Sequence, residues 1–105
     1  GTADLDKATR LQLERGQRLM EVIKQGIRAP LPTVNQVVLI YAGVNGYLDD
    51  IPVPSVLKFE KELYEALDSF YTDFVKLFNK EQSLTDEVKA ALKKLLTEFK
   101  QKFKV

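Results

Sequence analysis

Apolar residues recur along this chain at helical spacing in four stretches, each bounded by turn or capping signals. The first covers about residues 6–25. There Leu5, Ala8, Leu13, Met20 and Ile23 fall within one broad face, and Asp4 or Asp6 offers an N-cap. Gly16 lies in the same face. A glycine inside a helix costs about 1 kcal/mol against alanine, so close approach by another backbone or a local bend is expected there. Residues 26–32 connect, because Pro30 and Pro32 push the residues before them out of the helical region. Thr33 and Gln36 then form a capping box, which favours a second helix over about residues 34–43. Val34, Val37, Val38 and Ile40 would suit a strand, but neither alternation nor a partner strand accompanies them.

Pro54 suits a first helical turn and opens the third stretch, which continues to about residue 79. Its stripe is Val56, Phe59, Leu63, Ala66, Leu67, Phe70, Phe74, Leu77 and Phe78, and as one helix it is about 39 Å long. The fourth opens at Ser83 or Thr85, with Asp86 and Glu87 in its first turn and Lys100, Lys102 and Lys104 in its last. Both ends therefore complement the helix dipole. Val88, Leu92, Leu95, Phe99 and Phe103 are its stripe. The pattern predicts an all-α fold: a compact bundle of four (to five) helices forming a single domain over residues 1–105.

Within that pattern, QVVLIYAGVNGYLDDIP at residues 36–52 stands apart. Val37, Val38, Leu39, Ile40, Tyr41 and Ala42 have no polar break, so the element they form is covered on most sides. Gly43 and Gly46 then bracket Val44 and Asn45, where a buried element ends and the chain turns.

Composition narrows the chemistry. A chain of 105 residues supports one domain, and folding hides roughly 65% of its extended surface, enough for a modest core. With no cysteine there is no disulfide, thiolate zinc site or Cys nucleophile, and with no histidine the usual general base and metal ligand are missing. Sixteen Lys and Arg against fifteen Asp and Glu leave a formal charge of +1, without the basic excess of a nucleic-acid binder. No apolar run is long enough to span a bilayer, and the start does not read as a signal peptide.

Asp49 and Asp50 are the adjacent carboxylates outside helix surfaces. An acid/base pair needs environments that drive the two pKa values apart; in a turn before Pro52, both are expected to stay ionised as turn and cap residues. Gly43-Val44-Asn45-Gly46 lacks the lysine of a phosphate loop and follows a helix instead of a strand. Arg10, Arg15 and Arg18 share a helix with Glu14 and Glu21, which blunt any phosphate-tracking field, so a solvated amphipathic face is expected. Phe59, Phe70, Phe74 and Phe78 read as core. Catalytic, cofactor-binding and metal residues are all expected to be absent.

The segment IYAGVNGYLDDIPV resembles the C-terminal domain of the α subunit of F-type ATP synthases, where such a stretch joins two helices. Asp4-Leu5-Asp6-Lys7-Ala8-Thr9 with Arg15-Gly16-Gln17-Arg18-Leu19 is similar to the family's DLD-x-AT…RG-x-RL block. Lys24-Gln25, Pro30-Leu31-Pro32 and Gln36-Val37 match its next connection, and Lys58-Phe59-Glu60 and residues 92–103 match its last helices more loosely. Asn35 departs from the carboxylate usual there, which puts a capping detail in question. IPV-x-x-V-x-x-FEKE resembles bacterial members.

The resemblance implies a structural and assembly domain beside β subunits around a rotating γ shaft, in a proton-driven ATP synthase. It implies a peripheral complex at the cytoplasmic face of the bacterial inner membrane, or the matrix or stroma side of an organelle. Nucleotide binding belongs to the preceding central domain of such subunits, so this piece would be non-catalytic and free of cofactor. In related β subunits an acidic loop at the start of this domain pushes on the rotor. The matching Asp4, Leu5, Asp6 and Lys7 are less acidic and form the expected rotor-facing interface. The family places a further helix just before the stretch matched here. Exposed apolar area on the first two helices, and weak self-association, are therefore expected. The rival class is a free-standing helical module that grips an amphipathic peptide in a groove.

Overall fold

The computed structural model describes residues 2–28 and 33–104, with the side chains of residues 2–4 and 25–28 outside that description. Five α-helices follow one another: α1 (Thr2–Arg28), α2 (Thr33–Val44), α3 (Val56–Ser69), α4 (Thr72–Glu81) and α5 (Asp86–Lys102), with a 3₁₀ turn at Val53–Ser55 before α3. No strand is present among the described residues. The all-α bundle of four to five helices is the one expected, and five are present among the described residues.

The third predicted helix is two. The backbone N–H groups of Phe70 and Tyr71 both donate to the Ala66 carbonyl, at 2.7 and 3.0 Å, and α4 sets off in a new direction from Thr72. A straight stripe of about 39 Å would outrun the 17-residue α5 that covers it. Bending at residues 69–72, where Ser, two aromatics and Thr are modest helix formers, brings Phe74 and Phe78 back into the core at 7% and 6% exposure. Phe70 takes the outside of the corner and is 83% exposed, so it is not the core residue its spacing suggested.

Val38, Leu39 and Ala42 of α2, Leu48 and Ile51 of the following turn, Phe59 and Leu63 of α3, and Leu92 and Leu96 of α5 are at most 1% exposed and form the centre. Phe59 meets the Phe99 and Phe103 rings edge-on, each at 5.1 Å between centroids, an arrangement that aligns ring edges with ring faces. Thr85 caps α5, its hydroxyl accepting from the Val88 N–H at 3.2 Å. Lys104 lies beyond the end of α5, and Ser83 takes no part in the cap.

α1 departs most from expectation. It starts at Thr2, so Asp4 and Asp6 lie inside it and neither is its N-cap. Leu5, Leu13, Met20 and Ile23 are 68%, 64%, 53% and 46% exposed, and Ala8 is exposed as well. The apolar face is turned outward. The face that docks carries Arg18 and Val22, at 8% and 4% exposure. Among the described residues no other backbone approaches Gly16: a Cβ there would meet nothing within 4 Å. Ile40 and Val44 of α2 are exposed too, as are Leu57 of α3 and Leu84 before α5, so exposed apolar residues lie on the first two helices and beyond them.

Candidate interaction surface and the latch beneath it

The turn after α2 is where α1 is held. Gly43 lets α1 approach closely: a Cβ there would lie 2.6 Å from Leu19 Cδ2. α2 ends as the Asn45 N–H and side-chain amide both donate to the Tyr41 carbonyl, and the Tyr47 N–H donates to Ala42. Gly46 takes φ +86°, the left-handed conformation that glycine adopts without strain. Its bare Cα also leaves room for Arg15, whose Nη2 would sit 2.6 Å from an added Cβ.

Across that gap Arg15 donates from Nε and Nη2 to the two carboxylate oxygens of Asp49, at 3.0 and 2.8 Å. This side-on pairing raises the affinity of the guanidinium for its proton. One helical turn on, Arg18 donates to the carbonyls of Ile51 at 2.7 Å, Glu14 at 3.0 Å and Asp49 at 3.2 Å. Neither arginine is the solvated side chain expected from its neighbours, whereas Arg10 is exposed. Asp50 points to the other side and pairs with Lys100 of α5, which holds its carboxyl below the usual carboxylate range. The two aspartates therefore serve separate cations, and the turn is tied to α1 and α5 at once.

Gly43-Val44-Asn45-Gly46 lies at the C-terminal end of α2, whose exposed carbonyls disfavour phosphate. Among the described residues, no cluster of three or more acidic side chains has metal-holding geometry. No helix among them is long and apolar enough to cross a membrane.

Glu60 of α3, whose place among Glu62, Glu65 and Asp68 suggests an acidic outer face, is buried instead, and Tyr64 was not singled out from sequence. Glu60 is 4% exposed, and its Oε1 and the Tyr64 hydroxyl are buried without a hydrogen-bond partner. Burial, with Glu21 of α1 adding a like charge, pushes the Glu60 carboxyl up to about 7. Burial and the Glu60 charge push the Tyr64 hydroxyl above its ordinary value. A signal was present: Val56, Glu60, Leu63 and Leu67 follow the four-three-four steps of one buried face. Of the expected rotor-facing residues, Leu5, Asp6 and Lys7 are exposed in the first turns of α1, and the side chain of Asp4 lies outside the described residues.

The geometry defines an all-helical packing domain whose polar groups fasten helices to one another. Its family is specific: "ATP synthase alpha/beta chain, C terminal domain" matches residues 2–99, and the chain belongs to that family. It is 52% identical over 101 residues to the ATP synthase subunit alpha of Aquifex aeolicus, covering 96% of this chain and 20% of that protein. It is 47% identical over 100 residues to that of Dehalococcoides mccartyi, covering 95% and 20%. To that of a Sulfurovum species it is 48% identical over 101 residues, covering 96% and 20%. The chain thus spans about a fifth of the length of these relatives.

Proposed function

We propose that this chain is the C-terminal domain of an ATP synthase α subunit and acts there as a non-catalytic assembly element. It packs beside β subunits around the γ rotor, in a peripheral complex at the cytoplasmic face of a bacterial inner membrane, and it binds no nucleotide or metal of its own. The observation that carries this reading is identity of 47–52% to three α subunits over at least 95% of the chain. The polar chemistry agrees with it: Arg15, Arg18, Asp49, Asp50 and Lys100 are spent on holding helices together. Asp4, Leu5, Asp6 and Lys7 are assigned to the side facing the rotor.

In the assembled complex, Leu5→Cys carrying a short cross-linker should reach a rotor subunit. Products confined to stator subunits would refute the rotor-facing assignment, and failure of this domain to enter the complex would refute the assembly role. The isolated chain, titrated with ATP in a calorimeter, should give no saturable heat.

A further inference from the structure

Where α1 packs on α3, two polar groups are sealed in without partners. Glu60 is almost fully buried, and neither its Oε1 nor the Tyr64 hydroxyl, one turn further along α3, has a hydrogen-bond partner. Tyr64 therefore does not donate to that oxygen, and a charge on Glu60 is shut away from water with little to offset it. Across the contact stands Glu21 of α1, a like charge.

No cation among the described residues answers it. On α1, Lys24 is taken by Glu21 at 3.4 Å, and Arg15 and Arg18 by the turn after α2. Lys58 and Lys61 of α3 are exposed, while α2 and the 3₁₀ turn carry no charged residue. Asp73, Lys76, Lys80 and Glu81 of α4 are not buried and lend Glu60 no field. On α5, Lys100 is taken by Asp50 and Lys102 by Glu98.

Little apolar area holds α1 down at this level. Val22 is its one buried apolar side chain among the described residues, and Leu19 reaches toward Gly43 of α2 instead. The firm attachment lies one turn earlier, at two arginines that stay charged throughout the neutral range. We propose that the α1–α3 contact at Glu21, Val22, Glu60 and Tyr64 is a proton-operated joint. While Glu60 holds its proton, α1 lies closed on α3. When the proton leaves, the stretch around Glu21 and Val22 lifts and water reaches the carboxylate, with Arg15 and Arg18 as the pivot.

Burial and the Glu21 charge push the Glu60 carboxyl up to about 7, which places the change near neutral pH. The closed contact binds the proton more tightly than the open one, where Glu60 is an ordinary carboxyl. Closure is therefore favoured at low pH, weakens as pH rises through the carboxylate range, and stops changing above about pH 7. The joint is local to this chain and does not depend on the synthase reading.

A lifted stretch loses the packing that keeps a short helix formed, so amide hydrogen exchange reads the joint. In the 105-residue chain, corrected for the intrinsic effect of pH, residues 19–24 should open about tenfold more or beyond at about pH 8 than at about pH 5.5. Residues 88–96 of α5 should keep their protection. Glu60→Gln should hold the contact closed at both pH values. Glu21→Gln, at a partly exposed site, should move the midpoint to lower pH by removing the like charge. Circular dichroism at each pH checks that the bundle stays folded. Protection of residues 19–24 indifferent to pH would overturn the proposal. So would a loss shared equally with α5, which is unfolding of the whole domain, or a response that survives Glu60→Gln. Should Glu60→Gln not fold, an unmoved midpoint in Glu21→Gln overturns it alone.

Discussion

Replacing Glu60 with glutamine should stabilise this domain at pH 8 far more than at pH 5. The carboxyl is held in a site 4% exposed, with Oε1 unpartnered, and burial with the Glu21 charge pushes it up to about 7 from its ordinary value of 4.5. The folded state therefore binds this proton more tightly than the unfolded chain does. Between those two values the unfolded state sheds its proton first, so stability falls as pH rises and levels off above about pH 7. At about 1.4 kcal/mol per unit, the penalty is about 3 kcal/mol at pH 8 and under about 1 kcal/mol at pH 5. Glutamine keeps the shape and does not titrate. The stability gap between variant and parent should then widen by about 2.5 kcal/mol from pH 5 to pH 8. This is an upper figure, because a charged Glu60 side chain can swing toward solvent and recover part of its hydration. Urea unfolding at both pH values reads the gap as a difference of about 1–2 M in midpoint shift. Comparing the two gaps cancels the fixed cost of leaving a buried amide half-satisfied. Parallel stability profiles for the two proteins would refute the reasoning.

Four further outcomes follow from local geometry. Arg18→Met should cost about 2–3 kcal/mol in chemical denaturation, because the Ile51 carbonyl loses a charged donor in a buried setting. Gly16→Ala should gain about 1 kcal/mol from helix propensity alone. Gly46→Ala should destabilise through its positive φ and the contact with Arg15, and thermal melts of the two glycine variants should move in opposite directions. Thr85→Ala should cost about 1 kcal/mol, since the side chain caps the first turn of α5 and no other group takes that place; a melting-temperature shift of under a degree would contradict it.

Much of the architecture was legible in the sequence because α2, α3 and α5 bury the faces their spacing announces. Val38, Leu63 and Leu92 are core residues for the reason that predicts them. Gly43 and Gly46 marked the turn correctly, and Thr85 marked its cap. The misses share one physical cause: a periodic apolar face states which side of a helix is oily, not which side the rest of the chain covers. Leu5, Leu13, Met20 and Ile23 form the better apolar face of α1, yet it docks by its arginines. Asp49 and Ile51, which receive those arginines, lie more than thirty residues away, beyond the reach of any local pattern. Phe70 keeps helical register with Phe74 across the break between α3 and α4, which the apolar spacing does not reveal.

The polar latch also accounts for the orientation of α1, which apolar burial alone leaves undetermined. Val22 is the one fully buried apolar side chain of α1 among the described residues, and burying a valine contributes about 1.5–3 kcal/mol with no preferred direction. That is too little, and too isotropic, to fix the rotation of a 27-residue helix. Hydrogen bonds have direction. Arg18 reaches the Ile51 and Asp49 carbonyls in one rotational setting, and Arg15 grips both oxygens of Asp49 in that same setting. Sliding α1 by one turn would strand the Ile51 carbonyl and unpair Asp49 together. The residues that looked like an ordinary solvated face are thus the ones that decide which face α1 presents outward. If so, Arg15→Gln combined with Arg18→Met should leave the α2–α5 core protected in amide exchange while the amides of residues 15–22 lose protection. Equal loss of protection across both regions would mean that packing, and not the latch, holds α1 in place.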